Sequence, residues 1–305
     1  MTSTAKVSRL VVVGDIMLDR NVAARMQAAK DPAHAFRKLP GGWFISFDYA
    51  VANLEGPVTD KDRAPEKTID FRFDPSVLSV LKDEGLDAFS QANNHALDQG
   101  ELGYEDSVKR LRESGFIVFG HQVKDDEVAL ATTTVNGLRL AFLGFNVTDN
   151  ALDRESVAHI LKNVRMSSDR VVVFMHWGTE YRDRPDAKVV EIGHWFIDQG
   201  ADAVIGGHPH WYQGISSYKN KPIAWSRGNF VFDQDFSDET RQGLAVALTF
   251  GDASSSVTLE PIPIQIDSSQ PRLVTGDELQ RRLEKLAALS DPELKEQILA
   301  GKINF

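Results

Sequence analysis

The chain contains no cysteine, and that absence excludes a disulfide framework, cysteine-ligated zinc, iron–sulfur clusters and thiol nucleophiles. Any metal it holds must be bound through nitrogen and oxygen. It has no run approaching the roughly 20 apolar residues needed to cross a bilayer, so no membrane span is expected. It also lacks an excess of positive charge, because 34 Lys and Arg face 44 Asp and Glu for a formal net charge of -10. A broad basic surface for a phosphate backbone is excluded, and nucleic acid is not an expected partner. A bound divalent ion would still draw a small phosphate or carboxylate to itself, whatever the global charge. Low-complexity tracts and internal repeats are missing as well. The stretch Met1–Leu10 is short and polar, with no apolar segment of signal-peptide length before Leu10–Val13. The chain therefore reads as cytoplasmic, unless a longer precursor carries a leader or an anchor.

What is present is enough apolar material for a sizeable core: 42% hydrophobic residues in a chain of 305. Short apolar runs at Leu10–Val13, Ala50–Ala52, Ala88–Ser90, Val171–Met175 and Ala203–Ile205 have the length and composition of buried strands. Between them, Val77–Lys82, Glu101–Glu113, Arg154–Val164 and Ala187–Asp198 carry apolar residues at helical spacing. Strand and helix alternate, which predicts an α/β fold. Val128–Val135 and Leu138–Phe145 flank Asn136-Gly137, a dipeptide that predicts a hairpin, and Ile223–Trp225, Leu244–Phe250 and Val257–Ile266 add further strands. Thr275 followed by Glu278 has the spacing of a capping box for a helix over Thr275–Ala288, and Pro292 after Asp291 suits the start of another. With no linker in view, residues 1–270 are read as one domain with two sheets or a mixed sheet, and residues 271–305 as a helical extension packed on its outside.

Several of the apolar runs end in residues suited to metal or proton chemistry. Gly14-Asp15-Ile16-Met17-Leu18-Asp19-Arg20 follows the first, placing Asp15 where open α/β sheets present ligands. Asp15 and Asp19 also suit turn and helix caps. In Asn53-Leu54-Glu55-Gly56-Pro57, Glu55 offers a metal ligand or a proton carrier, or the segment is an ordinary Gly-Pro turn. Asn93-Asn94-His95-Ala96-Leu97-Asp98 crowds amide, imidazole and carboxylate groups; Asn94 can lend a carbonyl oxygen to a metal and His95 can ligate or move protons, the alternative being a capped turn with a surface histidine. His176 leaves the sheet after Val171–Met175, with Glu180 four residues on to orient it.

The densest segment is Gly206-Gly207-His208-Pro209-His210. Pro209 biases His208 toward extended backbone, which would turn His208 and His210 to the same side. Arg227 and Asn229, in Ser226-Arg227-Gly228-Asn229-Phe230, suit contact with a substrate anion or carbonyl, or belong to a loop whose phenylalanines fill the core. His34, His121, His159 and His194 have no such company and are expected to be structural or exposed.

In order, the segments GDIMLD, NLEGP, NNHALDQG, HWGTEY, GADAVIGGHPHWYQG and RGNFVFDQ resemble the CapA family, the poly-γ-glutamate capsule biosynthesis proteins, which are similar to calcineurin-like metallophosphoesterases. The resemblance spans about Gly14 to Gln234. It implies an αββα sandwich of the metallo-dependent phosphatase type with a metal centre at one end of two central sheets. It also implies Asp15, Glu55, Asn94, His176, His208 and His210 as metal ligands, and His95 as the group that protonates a leaving oxygen or stabilises the phosphoryl group. Asp19, Arg20, Glu180, Arg227 and Asn229 are expected to bind substrate or support the ligands. The sequence departs from the metallophosphoesterase pattern in two places: Met17 stands where Asp-x-His has its histidine, and Asn53-Leu54-Glu55-Gly56 replaces the motif of the bridging aspartate.

One or two divalent ions are therefore expected, manganese, iron, zinc or magnesium. The leading function is metal-assisted hydrolysis of a small phosphate ester. The alternatives are an accessory or binding role in poly-γ-glutamate synthesis, with partners in a biosynthetic complex, and hydrolysis of a γ-glutamyl amide.

Overall fold

The computed structural model describes residues 7–251 and 256–305; Met1–Lys6, part of the polar N-terminal stretch, lie outside them. Strand β1 (Val7–Ile16), helix α1 (Arg20–Ala29), β2 (Tyr49–Leu54), α2 (Val77–Asp83), β3 (Ala88–Ser90), α3 (Gly100–Glu113) and β4 (Ile117–Phe119) form a first alternating run. A second comprises β5 (Leu130–Val135), β6 (Leu138–Asn146), α4 (Arg154–Ser167), β7 (Arg170–His176), α5 (Ala187–Asp198), β8 (Ala203–Gly207), β9 (Ile215–Tyr218) and β10 (Lys221–Ala224). The chain then passes through β11 (Asn229–Val231), β12 (Gln242–Gly251), β13 (Val257–Asp267) and β14 (Gln270–Leu273), and ends in α6 (Gly276–Leu289), α7 (Lys295–Leu299) and β15 (Ile303–Asn304).

These strands make two sheets. The first runs β14-β13-β12-β1-β2-β3-β4, with β11 beside β1 and β15 beside β13; the second runs β5-β6-β7-β8-β10-β9. Side chains alternate across each strand, and the alternation separates three cores. Val11, Val13, Ala50, Ala52 and Phe89 face Val22, Val80, Leu81 and Leu111 of α1, α2 and α3. Leu10, Val12, Val51, Phe142, Val172, Phe174 and Ile205 meet between the sheets. Leu143, Phe145, Val171, Val173 and Met175 pack on Val157, Leu161, Val189 and Phe196 of α4 and α5. Helix, sheet, sheet, helix: the αββα sandwich is the arrangement these clusters define.

The C-terminal helices differ from expectation. Leu283, Leu286, Ala287, Leu294 and Ile298 are buried in the cluster between the sheets, against Leu244, Val246, Leu248 and Leu259, so α6 and α7 do not sit on the outside. Among the described residues the first sheet has nine strands and the second six, and the surplus inner face of β12 and β13 needs an apolar cover. Ser290 Oγ accepts from Ile215 N at 2.9 Å and Asp291 accepts from Ser216 Oγ at 2.9 Å, tying that cover to the edge strand β9.

The capping box is not formed. Thr275 has an extended backbone at the N-cap of α6 but makes no side-chain cap, and Glu278 pairs with Arg272 at 2.9 Å instead. The hairpin turn at Asn136 (φ 49) and Gly137 (φ 82) is present, although Val128 and Ala129 lie in a short 3-10 turn ahead of β5. Pro292 likewise opens a 3-10 turn, which leads into α7.

One irregularity decides what β1 presents at its end. The register with β2 shifts between Val12 and Asp15. Val11 and Val13 face the outer helices, as does Ile16, so the bulge changes the parity and turns Asp15 toward the opposite sheet. It is fixed where β1 crosses β11: Asp15 N donates to Gly228 O at 3.1 Å, and a Cβ on Gly14 would overlap that carbonyl.

We predict that Gly14→Ala lowers the urea midpoint by the equivalent of about 3 kcal/mol or more, since the clash is with backbone. Gly41→Ala, where a Cβ meets nothing within 4 Å, should stay within about 0.5 kcal/mol. Equal midpoints for the two variants would remove the crossing as the device that aims Asp15.

Candidate metal centre

The C-terminal ends of β1, β2 and β3 in one sheet and of β7 and β8 in the other open on the same space. Parity brings the chemistry there. Asn53 and Glu55 continue the inner face of Val51, His176 continues that of Val172 and Phe174, and Asp15 joins them through its bulge. Gly207, in register with His176, leaves the room they use: a Cβ there would lie 3.3 Å from Asp15 Oδ1 and 3.8 Å from His176 Nδ1.

Asp15, Glu55 and His176 are all buried, with one possible ligand atom from each lying within 4.8 Å of the others. Asn53 Nδ2 donates to Asp15 Oδ1 at 2.8 Å and to Glu55 Oε2 at 3.1 Å, and Asn93 Nδ2 donates to Asn53 Oδ1 at 3.0 Å, fixing which way the Asn53 amide points. The other oxygens, Asp15 Oδ2 and Glu55 Oε1, have no hydrogen-bond partner. Burial pushes the Glu55 carboxyl well above the ordinary range, and the neighbouring Asp15 raises it further.

A second set of donors converges from the other sheet. His176 Nε2 lies 2.8 Å from Asn94 Oδ1 and 3.2 Å from His208 Nδ1. Burial and the adjacent imidazoles hold His176 well below the usual histidine range, and His208 is pushed down to about 3 for the same reasons. Both shifts favour the neutral imidazole, the form that keeps a lone pair for a cation. His210 Nδ1 is 2.8 Å from Asn229 Oδ1, while Asn229 Nδ2 donates to Gln234 Oε1 and Thr240 O at 3.0 and 2.9 Å. Those two bonds turn the Asn229 oxygen toward His210, fix the ring as the Nδ1–H tautomer and leave Nε2 bare.

His208 and His210 do reach one centre, but not as an extended pair. Their φ angles are 95 and 57, left-handed backbone that is costly for a side chain of this size. A tight turn around Pro209 aims the rings, and the ordinary preference of a residue before proline is overridden.

The remaining candidates fall into distinct places. Asp19 caps α1, its oxygens accepting from Arg20 N at 2.7 Å and Arg72 N at 2.9 Å. Arg20, also left-handed (φ 51), puts its guanidinium 3.1 Å from buried Asp233 and over the Phe71 ring, which lies against His95. Glu180 stands beside His210, 3.9 Å from its Nε2, and not against His176 as expected. Arg227 is buried under the floor, donating to the carbonyls of Val13 and Gly206, too deep to meet a substrate. Burial brings it down to about 10, opposed by Asp15 and Glu55, so it stays charged beneath them.

Three supporting residues were not singled out from the sequence: Asn53, Asp98 and Lys67. Asp98 Oδ2 lies 2.7 Å from His95 Nδ1 and accepts from Phe71 N at 2.7 Å, and Lys67 Nζ is 2.5 Å from Asp98 Oδ1. Burial lowers His95 and Asp98 pulls it back up. Asp98 stands three residues after His95 in a segment already picked out for its polar density, so spacing could have found it; Lys67, in a polar loop, carries no local signal.

The donors fit a divalent cation. Two buried carboxylate oxygens lack a hydrogen-bond partner among the described residues, imidazole nitrogens stand beside them, and every available atom is nitrogen or oxygen, the set that suits zinc, manganese, iron or magnesium. We predict that Asn53→Asp, which removes both donors and adds a third negative charge, destabilises the metal-free protein by about 3 kcal/mol or more. Adding manganese should recover much of that loss in thermal denaturation. An unchanged midpoint in chelator would show that Asn53 does not hold the carboxylates.

Residues 9–234 match the family described as bacterial capsule synthesis protein PGA_cap. The chain is 28% identical over 310 residues to the PGA biosynthesis protein CapA of Bacillus subtilis (strain 168), covering 96% of this chain and 80% of that one. It is 29% identical over 290 residues to the capsule biosynthesis protein CapA of Bacillus anthracis, covering 88% and 69%. Among solved structures, a phosphatase of Mycoplasma pneumoniae aligns over 89% of this chain and 92% of its own at 11% identity, with a TM-score of 0.44.

Proposed function

The chain belongs to the bacterial capsule synthesis protein family PGA_cap, and we propose that it acts there as a metal-dependent hydrolase of a small phosphate ester. The observation that carries this reading is the pair of buried oxygens without a hydrogen-bond partner, Asp15 Oδ2 and Glu55 Oε1, beside the imidazoles of His176 and His210. Asp15, Glu55, Asn94, His176, His208 and His210 would hold one or two divalent ions. Such an ion supplies Lewis acidity and lowers the pKa of water bound to it.

The chain's own groups do the rest. Asp98 takes the Nδ1–H of His95, with Lys67 and Phe71 N holding the carboxylate in place, so Nε2 is left to protonate a leaving oxygen. Asp98 also stabilises the charged ring that carries that proton, against the burial that disfavours it. Asn229 keeps His210 in one tautomer. Arg227 offsets part of the negative charge of Asp15 and Glu55 without occupying the space between them.

A second reading is favoured by the names of the Bacillus relatives, which refer to biosynthesis: the centre would bind polyglutamate, or a partner in its synthesis, without turnover. A γ-glutamyl amide is a further substrate that the same Lewis-acid chemistry would serve.

Metal analysis alongside turnover of an aryl phosphate with manganese, zinc or magnesium separates these readings. His208→Ala should lose both metal and turnover, and His95→Asn should keep its metal while turnover falls roughly 10²- to 10⁴-fold. His208→Ala with unchanged metal and rate would sink the assignment. No hydrolysis across phosphoesters and γ-glutamyl amides, with co-purification of ligase components, would select the accessory role.

A further inference from the structure

We infer that Glu180 is a metal ligand, completing with His210, Glu55 and Asp15 a second cation subsite next to the one formed by His176, His208 and Asn94. The inference rests on the metal-centre reading above and goes beyond it, by assigning as a donor a residue that the resemblance implies only as a support for the ligands or a substrate contact.

In Asp-x-His the second residue after the aspartate donates to the metal; here it is Met17, buried, with its sulfur accepting from Asp19 N at 3.1 Å. Its thioether is engaged with its own backbone turn. The groups on the Asp15 side of the centre are nevertheless arranged for a cation. His210 Nε2, left bare by the Asn229 bond, is 3.8 Å from Glu55 Oε1 and 3.9 Å from Glu180 Oε1, while Asp15 Oδ2 lies 3.6 Å from Nδ1 on the other side of the ring. Donors at metal distance from one ion stand roughly 3.4 Å apart, so Glu55 Oε1 and Glu180 Oε1 would each close slightly on His210 Nε2, and the two carboxylates would draw toward each other around the ion. Asp15 Oδ2 and Glu55 Oε1 are fully buried and unpartnered, which an acidic cluster arranged by chance on a surface would not show.

The backbone after Glu180 is built to bring it there. Tyr181 is left-handed (φ 58) and donates its N–H to Pro209 O at 2.9 Å. Its ring stacks on His210, with centroids 6.0 Å apart, and its hydroxyl accepts from Gln234 Nε2 at 3.3 Å. Of the ten left-handed residues other than glycine among the described residues, Lys30 caps α1 and Asn136, Lys219, Asn220, Ser268 and Ser269 sit between paired strands; the other four, Arg20, Tyr181, His208 and His210, are all at this centre. Outside ordinary turns and caps, the left-handed residues gather at this centre, where the surrounding contacts hold them. The loop after β7 thus returns a carboxylate to the position that β1 leaves without a histidine. The Glu180 side chain is 42% exposed, whereas those of Asp15 and Glu55 are not exposed at all, so Glu180 would close the subsite from the solvent side.

Manganese is the probe, titrated calorimetrically into metal-free protein, with paramagnetic resonance to detect coupling between two ions about 3.5–4 Å apart. The wild type should bind two equivalents and give a coupled spectrum. Glu180→Gln should keep one equivalent at wild-type affinity, weaken the other at least as much as the roughly 10- to 100-fold seen for outer-shell changes, and lose the coupled signal; Glu180→Asp should restore part of it. Two equivalents of unchanged affinity in Glu180→Gln overturn the inference. A single equivalent in the wild type overturns it while leaving the metal-dependent hydrolase standing, and no binding by the wild type removes both.

Discussion

Two carboxylates buried side by side are the constraint around which this protein is arranged. Like charges about 4 Å apart at an effective dielectric constant near 20 repel by about 4 kcal/mol, and Asp15 and Glu55 face each other without exposure to water. Every neighbouring feature answers that cost. Asn53 gives one amide to both, Asn93 keeps that amide from turning over, and the Arg227 charge is buried beneath. What these groups leave unanswered, one oxygen on each acid, is the space a cation would fill. The same burial that raises the Glu55 carboxyl lowers His176 and His208; both shifts favour the uncharged forms.

The geometry behind this is the two-residue period of a strand, used in both sheets at once. Alternation along Val51, Asn53 and Glu55 and along Val172, Phe174 and His176 carries the inner apolar face straight into the donors. The apolar core between the sheets and the polar centre at its end are one surface, with a change of residue type where the strands stop. Asp15 needs a correction to that period, and its bulge at the β11 crossing provides it.

Much of this was legible in the sequence. The apolar runs located the inner strands because buried parallel strands are continuous in their hydrophobicity, and the polar clusters after Val13, Ala52, Ser90, Met175 and Ile205 marked the sheet ends. Helix α1 was not legible, since only Val22 of its ten residues is buried and it lacks an apolar stripe. β4 and β11 are three residues each, too short for a period to register. The inward position of α6 and α7 depends on a mismatch in sheet widths, which no local pattern encodes. At the centre, residue types were informative and directions were not: Arg227 looked like a substrate contact and lies in the floor, and the turn at His208 and His210 required backbone angles that proline's neighbour ordinarily avoids.

The candidate donors are divided evenly between the layers, with Asp15, Glu55 and Asn94 on loops and strand ends of one sheet and His176, His208 and His210 on those of the other. No single layer contains half of a working centre in any useful sense, because each contributes charge or lone pairs that only the facing layer complements. An ion held there is a clasp across the seam, and its affinity becomes a gauge of how closely the two sheets are docked. A change far from the centre that opens the seam, such as a loosened α6 between β9 and β13, would be read at the ion as a loss of coordination.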